Sequence, residues 1–291
     1  MERYDIAIIG TGPAGLSAAI TATVRNKKVL LLGPANLSEK VQKAHLIQNY
    51  LGLPEISGEG LVKAYQKHLE AMNISVTDAR VNAIYNMGSY FGIQASGEIY
   101  EADTVILATG VVTGKMLEGE KEFLGRGVSY CATCDAMLYR GKKVAVIGYS
   151  KREEAEAEFL AEVVDKVYYF PMYKNEPQLS ENIEIVREVP KKIFGTDLVE
   201  GLQTNKGEWI VDGIFVLRES ISPEQLLGGV ELDGVHVKVN LKMETSISGC
   251  YACGDITGMP YQYIKAAGQG NVAALSAVEY LAKNKEKRWM R

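Results

Sequence analysis

The sequence predicts an α/β fold with two domains, each built around a strand, a tight turn and a helix. An apolar strand at residues 4–9 runs into a glycine-rich turn and a helical segment, and the same order returns at residues 143–164. A third stretch rich in small residues, 249–255, precedes a long amphipathic segment near the end of the chain. The two strand-turn-helix units favour two nucleotide-binding-type domains.

Length and composition limit the classes of protein that fit. At 291 residues with 47% hydrophobic content, the chain can bury two cores of ordinary size. The net charge of −4 argues against nucleic acid as a partner. No apolar run approaches the roughly 20 residues of a membrane span, and residues 1–5 show no sign of a signal peptide. We therefore expect a cytoplasmic protein that binds neither nucleic acid nor membrane.

The first turn lies between a strand at 4–9 and a helix to about residue 24, and it reads Gly10-Thr11-Gly12-Pro13-Ala14-Gly15. In this context the first glycine makes the turn, the second admits a pyrophosphate and the third lets helix meet strand. The first helical amides then bind the phosphates. The usual acidic ribose partner is absent, since the next strand, 28–32, ends at Gly33. A tight turn without a ligand is the alternative, but the context favours a dinucleotide.

The region that follows carries a helix at 61–72, a strand at 74–81 and a hairpin at 90–94 and 98–100. A fully apolar strand, 103–107, then ends in Ala108-Thr109-Gly110. These small residues allow a ligand to approach the backbone.

A redox-type Cys-x-x-Cys stands near the middle of the chain, where Cys131 and Cys134 are followed at once by Asp135. Two such cysteines can close a disulfide with little backbone movement, and in a reducing cell they are usually catalytic or metal-binding. Half of a zinc or iron-sulfur site is the alternative. The acid favours redox chemistry, because it can shuttle the proton that thiol-disulfide exchange needs.

The second turn keeps the fold of a nucleotide site but not its chemistry. Between a strand at 143–147 and a helix at 151–164, Ser150 and Glu153 occupy the second and third glycine positions. Glu153 and Glu154 place acidic groups where the helix dipole favours a phosphate, and no arginine follows the next strand, 166–170, to bind a 2′-phosphate. An unusual NADPH site remains the alternative. Short strands at 183–187, 207–210 and 213–217 and a capping box at 222–225 complete this region.

The last stretch contains a second Cys-x-x-Cys, Cys250 and Cys253, just before Gly254-Asp255 and a helix from about 262 to 282. A four-cysteine metal site is one reading. Because the two pairs lie more than a hundred residues apart, two buried structural thiols are the better reading.

The chain resembles the low-molecular-weight thioredoxin reductase family over essentially its full length. The matching segments, in order, are Gly10 to Gly15, Gln48-Asn49-Tyr50, Ala108-Thr109-Gly110, Gly127 to Asp135 and Gly254-Asp255. The resemblance implies two Rossmann-like, three-layer domains and a homodimer. It implies a discontinuous FAD-binding domain, 1–113 and 243–291, into which a redox-disulfide domain, 114–242, is inserted.

The resemblance also assigns cofactor-binding positions. It implies that Gly10 to Gly15 hold the FAD pyrophosphate, that Asn49 reaches toward the flavin, and that the Val81 backbone meets the adenine. Thr109 and Gly110 would line the cofactor. Gly254-Asp255 would lie on the ribityl or phosphate side, and Gln262 would lie near the flavin ring.

The catalytic roles follow from the same resemblance. Cys134 would face the flavin, Cys131 would attack the disulfide of thioredoxin, and Asp135 would be the acid. Two departures matter: Ser38-Glu39-Lys40 replaces a Gly-Gly-Gln element of the family, and both NADPH motifs are missing.

With these departures the chain most resembles the ferredoxin-dependent flavin thioredoxin reductases. This resemblance implies that ferredoxin donates the electrons and that thioredoxin accepts them. An NADPH-dependent enzyme with an atypical site and a non-catalytic Cys₄ metal scaffold are the alternatives. The tail, 283–291, is either a frayed helix end or a segment whose Trp289 stacks on the flavin.

Overall fold

The computed structural model describes residues 3–111, 116–218 and 222–289, with the backbone alone at 133, 134 and 285–289. The side chains of Cys134 and Trp289 therefore lie outside what is described. The chain divides into two compact units, the first comprising Met1–Val111 with Ser222–Arg291 and the second Val112–Ile221. Within the described ranges, no helix is both long and apolar enough to cross a membrane.

The strands and helices are numbered in chain order. The strands are β1 (Tyr4–Ile9), β2 (Val29–Leu32), β3 (Val76–Thr77), β4 (Val81–Asn86), β5 (Phe91–Ala95), β6 (Glu98–Leu107), β7 (Val128–Ser129), β8 (Lys143–Gly148), β9 (Lys166–Pro171), β10 (Ile183–Ile185), β11 (Pro190–Gly195), β12 (Val199–Thr204), β13 (Glu208–Ile210), β14 (Gly213–Leu217), β15 (Leu232–Asp233), β16 (His236–Val237) and β17 (Cys250–Ala252). The helices are α1 (Pro13–Val24), α2 (Glu39–Gln42), α3 (Gly58–Ala71), α4 (Ala132–Asp135), α5 (Glu154–Ala161), α6 (Pro223–Leu226) and α7 (Tyr263–Trp289).

The first unit is built on parallel strands in the order β3-β2-β1-β6, and β6 changes neighbours along its length. Residues 98–102 of β6 pair antiparallel with β5, whereas 105–107 pair parallel with β17. Helices α1 and α7 pack against each other and share one apolar core with α3. The carboxyl ends of β1 and β6 therefore meet at one edge of the sheet, which is where open α/β sheets bind their ligands.

The second unit has three layers. A parallel sheet, ordered β10-β9-β8-β14-β7, forms the middle layer. Its two faces are lined by alternate residues of β8 and β14, as the two-residue period of a strand requires. One face packs against the antiparallel sheet β11-β12-β13 and the other against α4 and α5. The predicted fold class of two three-layer nucleotide-binding-type domains is confirmed.

The units divide the chain differently from the predicted boundaries at 113/114 and 242/243. Residues 222–242 belong to the first unit, because α6 packs against β4 and hydrogen bonds tie the segment to later parts of that unit. The Glu231 amide donates to Ser246 Oγ at 2.9 Å, and His236 Nε2 lies 2.7 Å from the Tyr261 hydroxyl.

Several predicted elements differ from those observed. The strand predicted at 74–81 is two strands, β3 and β4, separated by a short turn, and the segments predicted at 98–100 and 103–107 are one continuous strand, β6. Strands β11 and β12 were not predicted at all. The helix predicted at 151–164 begins as a 3₁₀ turn at Lys151–Glu153 and ends at Ala161.

Candidate active site

The three glycines of the first turn meet the three requirements of a dinucleotide turn. Gly10 has a φ of +121°, and a Cβ there would lie 2.3 Å from the Ala108 carbonyl oxygen. A Cβ on Gly15 would lie 1.8 Å from the Gly10 oxygen, so the helix can approach the strand only without a side chain. A Cβ on Gly12 would meet nothing within 4 Å. The space beside Gly12 is thus open to a ligand.

The N-terminus of α1 is prepared for an anion. Its N-cap residue is Gly12, which provides no side-chain cap, and Pro13 occupies the start of the helix. The first turn contains no acidic residue. Since the first amides of a helix lack intrahelical partners and carry partial positive charge, they bind phosphate. The residues present therefore fit the pyrophosphate of a dinucleotide.

Thr11 lies in this turn, and three other residues of the predicted cofactor set lie at the ends of strands of the same sheet. Thr11 is buried and donates to the Pro34 carbonyl at 3.1 Å, so it supports the turn. Thr109 and Gly110 directly follow β6, and Gly110 has a φ of +75° with open space beside its Cα. Val81 is buried and begins β4.

Asn49 and Gln262 come together from distant parts of the sequence. The Asn49 side-chain amide donates to Gln262 Oε1 at 2.6 Å. Asp255 lies in the 3₁₀ turn that follows β17, and its Oδ2 forms an ion pair with Lys40 Nζ at 2.7 Å. Lys40 was noted in the sequence only as a departure from the family pattern, and its partnership with Asp255 was missed.

Two further side chains hold the Gly254–Gly258 turn. Lys265 Nζ donates to the carbonyl oxygens of Gly254 and Gly258, at 3.0 and 2.7 Å. Desolvation by burial lowers the pKa of Lys265. Gln269 Oε1 accepts from the Gly254 amide at 2.9 Å. Neither residue was predicted, because each acts on backbone atoms that no sequence motif specifies.

The redox segment lies in the second unit, where β7 leads into α4. Cys131 is disulfide-bonded and 8% exposed. Ser129 Oγ donates to Asp135 Oδ2 at 2.7 Å and accepts from the Cys131 amide at 3.1 Å. Asp135 is thus held next to the cysteine segment, as its predicted role requires. Ser129 lies inside the matched segment 127–135, but no sequence motif predicts this role.

The second turn is filled by the chain's own side chains. Ser150 Oγ accepts from the Arg152 amide at 3.3 Å and donates to the carboxyl group of Glu153, which is buried, at 3.0 Å. A Cβ on Gly148 would lie 2.1 Å from the Tyr169 hydroxyl oxygen, so Tyr169 occupies the space above the end of β8.

Glu154 extends this network. It is buried, and its two oxygens accept from the Tyr173 hydroxyl at 2.6 Å and from the Gln178 amide at 3.2 Å. Two buried acidic groups therefore occupy the N-terminal end of α5, where a nucleotide-binding helix would receive a phosphate.

A buried ion pair stands near the ends of the second unit's chain segment. Arg218 donates to both carboxylate oxygens of Glu120, at 2.7 Å from Nη2 and closer still from Nη1. Glu120 also accepts from the Tyr130 hydroxyl at 3.1 Å and the Leu117 amide at 2.8 Å. The guanidinium of Arg218 lies 4.8 Å from the centre of the Tyr149 ring. This network supports Tyr130, the residue before Cys131.

Cys250 and Cys253 are free, buried thiols. Side chains alternate along a strand, so these two residues, three apart in β17 and its extension, point to opposite faces. Burial raises the pKa of both thiols to about 12. They cannot share one metal ion without rebuilding the strand. Among the residues described, no three His, Cys, Asp or Glu side chains are grouped to hold a metal.

Fold and site together define a disulfide oxidoreductase of the nucleotide-binding type. A family model, "Pyridine nucleotide-disulphide oxidoreductase", matches residues 4–170. The thioredoxin reductase of Aquifex aeolicus is 32% identical, over 97% of this chain and 95% of that protein. A ferredoxin-flavin thioredoxin reductase from Clostridium acetobutylicum is 53% identical with a TM-score of 0.93, over 97% of this chain and 99% of that one. The structure of a thioredoxin reductase from Gloeobacter violaceus is 27% identical with a TM-score of 0.81, over 97% of this chain and 95% of that one.

The chain belongs to the pyridine nucleotide-disulphide oxidoreductase family, as one of its thioredoxin reductases. The resemblance stated from the sequence motifs is thereby confirmed, as is the prediction of a flavoprotein oxidoreductase.

Proposed function

We propose that the protein passes electrons from reduced ferredoxin, through FAD and the Cys131-Cys134 disulfide, to thioredoxin. The contrast between its two helix N-termini carries this proposal. The start of α1 is open and free of acidic residues, whereas the start of α5 is closed by Glu153 and Glu154. One dinucleotide is therefore accommodated, and a second, electron-donating one meets buried acidic groups.

The first unit fits FAD as the resident cofactor. Gly12 and the first amides of α1 would hold the pyrophosphate, with Gly10, Thr11, Pro13, Ala14 and Gly15 forming the turn. The Val81 backbone would contact the adenine, and Thr109 and Gly110 would line the cofactor. Gly254 and Asp255 would lie on the ribityl or phosphate side, and Asn49 and Gln262 near the flavin. FAD would supply the exchange between a one-electron donor and a two-electron disulfide.

The second unit would carry the acceptor chemistry. Cys131 would attack the thioredoxin disulfide, Cys134 would exchange with the flavin, and Asp135, held by Ser129, would move the proton. Met137 and Leu138, 60% and 69% exposed, lie just after α4, the cysteine helix, which begins at the residue after Cys131. Two exposed apolar side chains at this position suit a protein substrate whose disulfide must reach Cys131.

The energetics permit this direction of flow. Plant-type ferredoxins lie near about −400 mV and thioredoxin near about −270 mV, and 30 mV is about 1.4 kcal/mol for two electrons. Reduction of thioredoxin by ferredoxin is then downhill by about 6 kcal/mol.

Anaerobic rapid mixing tests the donor. Reduced ferredoxin is expected to bleach the flavin absorbance, and NADPH at millimolar concentration is expected to do so no faster than buffer. Rapid, saturable bleaching by NADPH would overturn the proposal and favour the NADPH-dependent alternative. Cys131→Ser should still be bleached by ferredoxin but should form no thioredoxin thiols, which separates the donor step from the acceptor step.

Three further features belong to the same proposal. The first unit would be the FAD-binding domain and the second the redox-disulfide domain. The enzyme would act as a homodimer, and it would do so in the cytoplasm.

A further inference from the structure

A carboxylate lies at the start of the cysteine helix. The backbone amide of Ala132, the first residue of α4, donates to Glu156 Oε2 at 3.1 Å. Glu156 belongs to α5, which packs against α4. Ala132 is fully buried and Cys131 nearly so. The contact therefore lies in a partly desolvated place, one peptide away from the Cys131 side chain.

This arrangement reverses a familiar one. In many Cys-x-x-Cys proteins, free amides at a helix start stabilise the first cysteine as a thiolate. Here the Glu156 carboxylate accepts a hydrogen bond from the first of these amides, that of Ala132, and adds negative charge beside Cys131. We propose that Glu156 is a positioning residue of the redox site: it fixes the cysteine helix on α5 and keeps the reduced Cys131 a neutral thiol.

The other acidic and phenolic groups considered near this segment have different described contacts. Asp135 accepts from the Ser129 hydroxyl, which itself accepts from the Cys131 amide. Burial, with Asp135 a smaller cause, raises the pKa of Tyr139, so Tyr139 stays neutral at ordinary pH. Glu120, which reaches the segment through Tyr130, is paired with Arg218. In the described contacts of this segment, Glu156 is bonded to the backbone of α4 itself.

The consequence concerns when the nucleophile forms. In exchange, Cys131 loses its proton to a base, its sulfur bonds to one sulfur of the substrate disulfide, and the second substrate sulfur leaves and is protonated. A neutral resting thiol makes this attack depend on the base, and it leaves little thiolate for solvent oxidants. This inference rests on the proposed role of Cys131, but the acidity of the thiol can be measured without ferredoxin or thioredoxin.

The test uses the FAD-loaded full chain carrying Cys134→Ser, in which Cys131 has lost its disulfide partner and is a free thiol. Cys250 and Cys253 are buried and should not react, and mass spectrometry of the labelled peptide verifies this. Iodoacetamide labelling is followed between about pH 6 and pH 10. Glu156→Gln keeps an oxygen acceptor for the Ala132 amide and removes the charge. The matched control is Glu158→Gln on the same helix, whose carboxylate is bonded instead to the Ser180 amide and hydroxyl at 2.7 and 2.6 Å.

Glu156→Gln is expected to raise the labelling rate at about pH 8 three- to tenfold and to move the pH midpoint to lower pH by about half a unit to one unit. Glu158→Gln should match the parent. An equal or slower rate in Glu156→Gln, with normal flavin content, would overturn the proposal.

A second measurement varies the salt concentration. Raising KCl from about 0.05 to about 1 M shortens the screening length to about 3 Å. Because a partly buried charge is screened only weakly, the labelling rate of the parent should rise by less than Glu156→Gln raises it, and the rate of Glu156→Gln itself should not respond to salt. A parent rate that does not respond to salt, together with an unshifted midpoint in Glu156→Ala, would also refute the role of the charge.

Discussion

Replacing single glycines of the first turn separates ligand binding from folding. Gly12→Ala should abolish tight FAD binding while the cofactor-free protein keeps its fold. Gly15→Ala should destabilise the cofactor-free protein itself. The reason is geometric, since the new methyl group points into open space at Gly12 but into the Gly10 carbonyl oxygen, 1.8 Å away, at Gly15.

The magnitudes follow from these contacts. At Gly12 the backbone angles, φ −84° and ψ 179°, suit alanine, so the cost to stability is the N-cap preference, about 0.5–1 kcal/mol. A methyl group in the path of the pyrophosphate should weaken FAD at least about a hundredfold, or about 2.8 kcal/mol. At Gly15 the overlap must be relieved by moving α1 away from β1, which should cost about 3 kcal/mol or more.

Cofactor-free protein is used for both measurements. Urea unfolding gives the stability, and FAD titration followed by flavin fluorescence gives the affinity. Gly228→Ala is the matched control, because its Cβ also meets nothing within 4 Å and it lies outside the proposed FAD contacts. If Gly12→Ala bound FAD as the control does, or lost as much stability as Gly15→Ala, the assignment of this turn to the pyrophosphate would be refuted.

Three other perturbations have defined outcomes. Cys250→Ser should leave thioredoxin reduction nearly unchanged and lower stability by about 1–2 kcal/mol, since it buries a hydroxyl in place of a thiol; loss of turnover with FAD bound and the fold intact would contradict a purely structural thiol. Arg218→Met should lower the unfolding free energy by about 3–5 kcal/mol, because it leaves Glu120 buried without its charge partner, and adding Glu120→Gln should recover part of that loss in the same urea titration. Lys40→Met should weaken FAD binding severalfold by leaving Asp255 without its ion-pair partner beside the cofactor. Lys43→Met, at the C-cap of the same helix, should bind FAD like the parent.

The sequence was most informative where a local signal determines local structure. β1 was predicted with its exact bounds, because an apolar run ends at a glycine whose φ must be positive. Both hydrogen bonds of the capping box are present, from the Gln225 amide to the Ser222 side chain and from the Ser222 amide to the Gln225 side chain. These features depend on residues next to each other in the chain, so a single sequence contains them.

Features that depend on distant partners were missed. Strands β11 and β12 stabilise each other by pairing across a tight turn. In β11 two consecutive lysines interrupt the alternation of apolar and polar residues by which a strand is recognised in a sequence. The Lys40–Asp255 ion pair joins residues 215 apart, and the Glu156 contact joins α5 to α4. No spacing rule covers such contacts, because they exist only once two elements have packed.

The two helix N-termini show how one fold accommodates different chemistry. In both units a parallel strand leads through a short turn into a helix, so both helices begin with amides that could hold a phosphate. At α1 the turn is glycine, the first helical turn lacks acidic residues, and the space beside Gly12 is open. At α5 the turn holds Ser150 bonded to Glu153, and the Tyr169 hydroxyl lies against Gly148 at the end of β8. At that site Ser150 accepts from the Arg152 amide and acidic side chains stand at the helix start, while the sheet next to Cys131 keeps its layers. Under the proposed function, the donor would deliver electrons without binding at α5, as a small redox protein can.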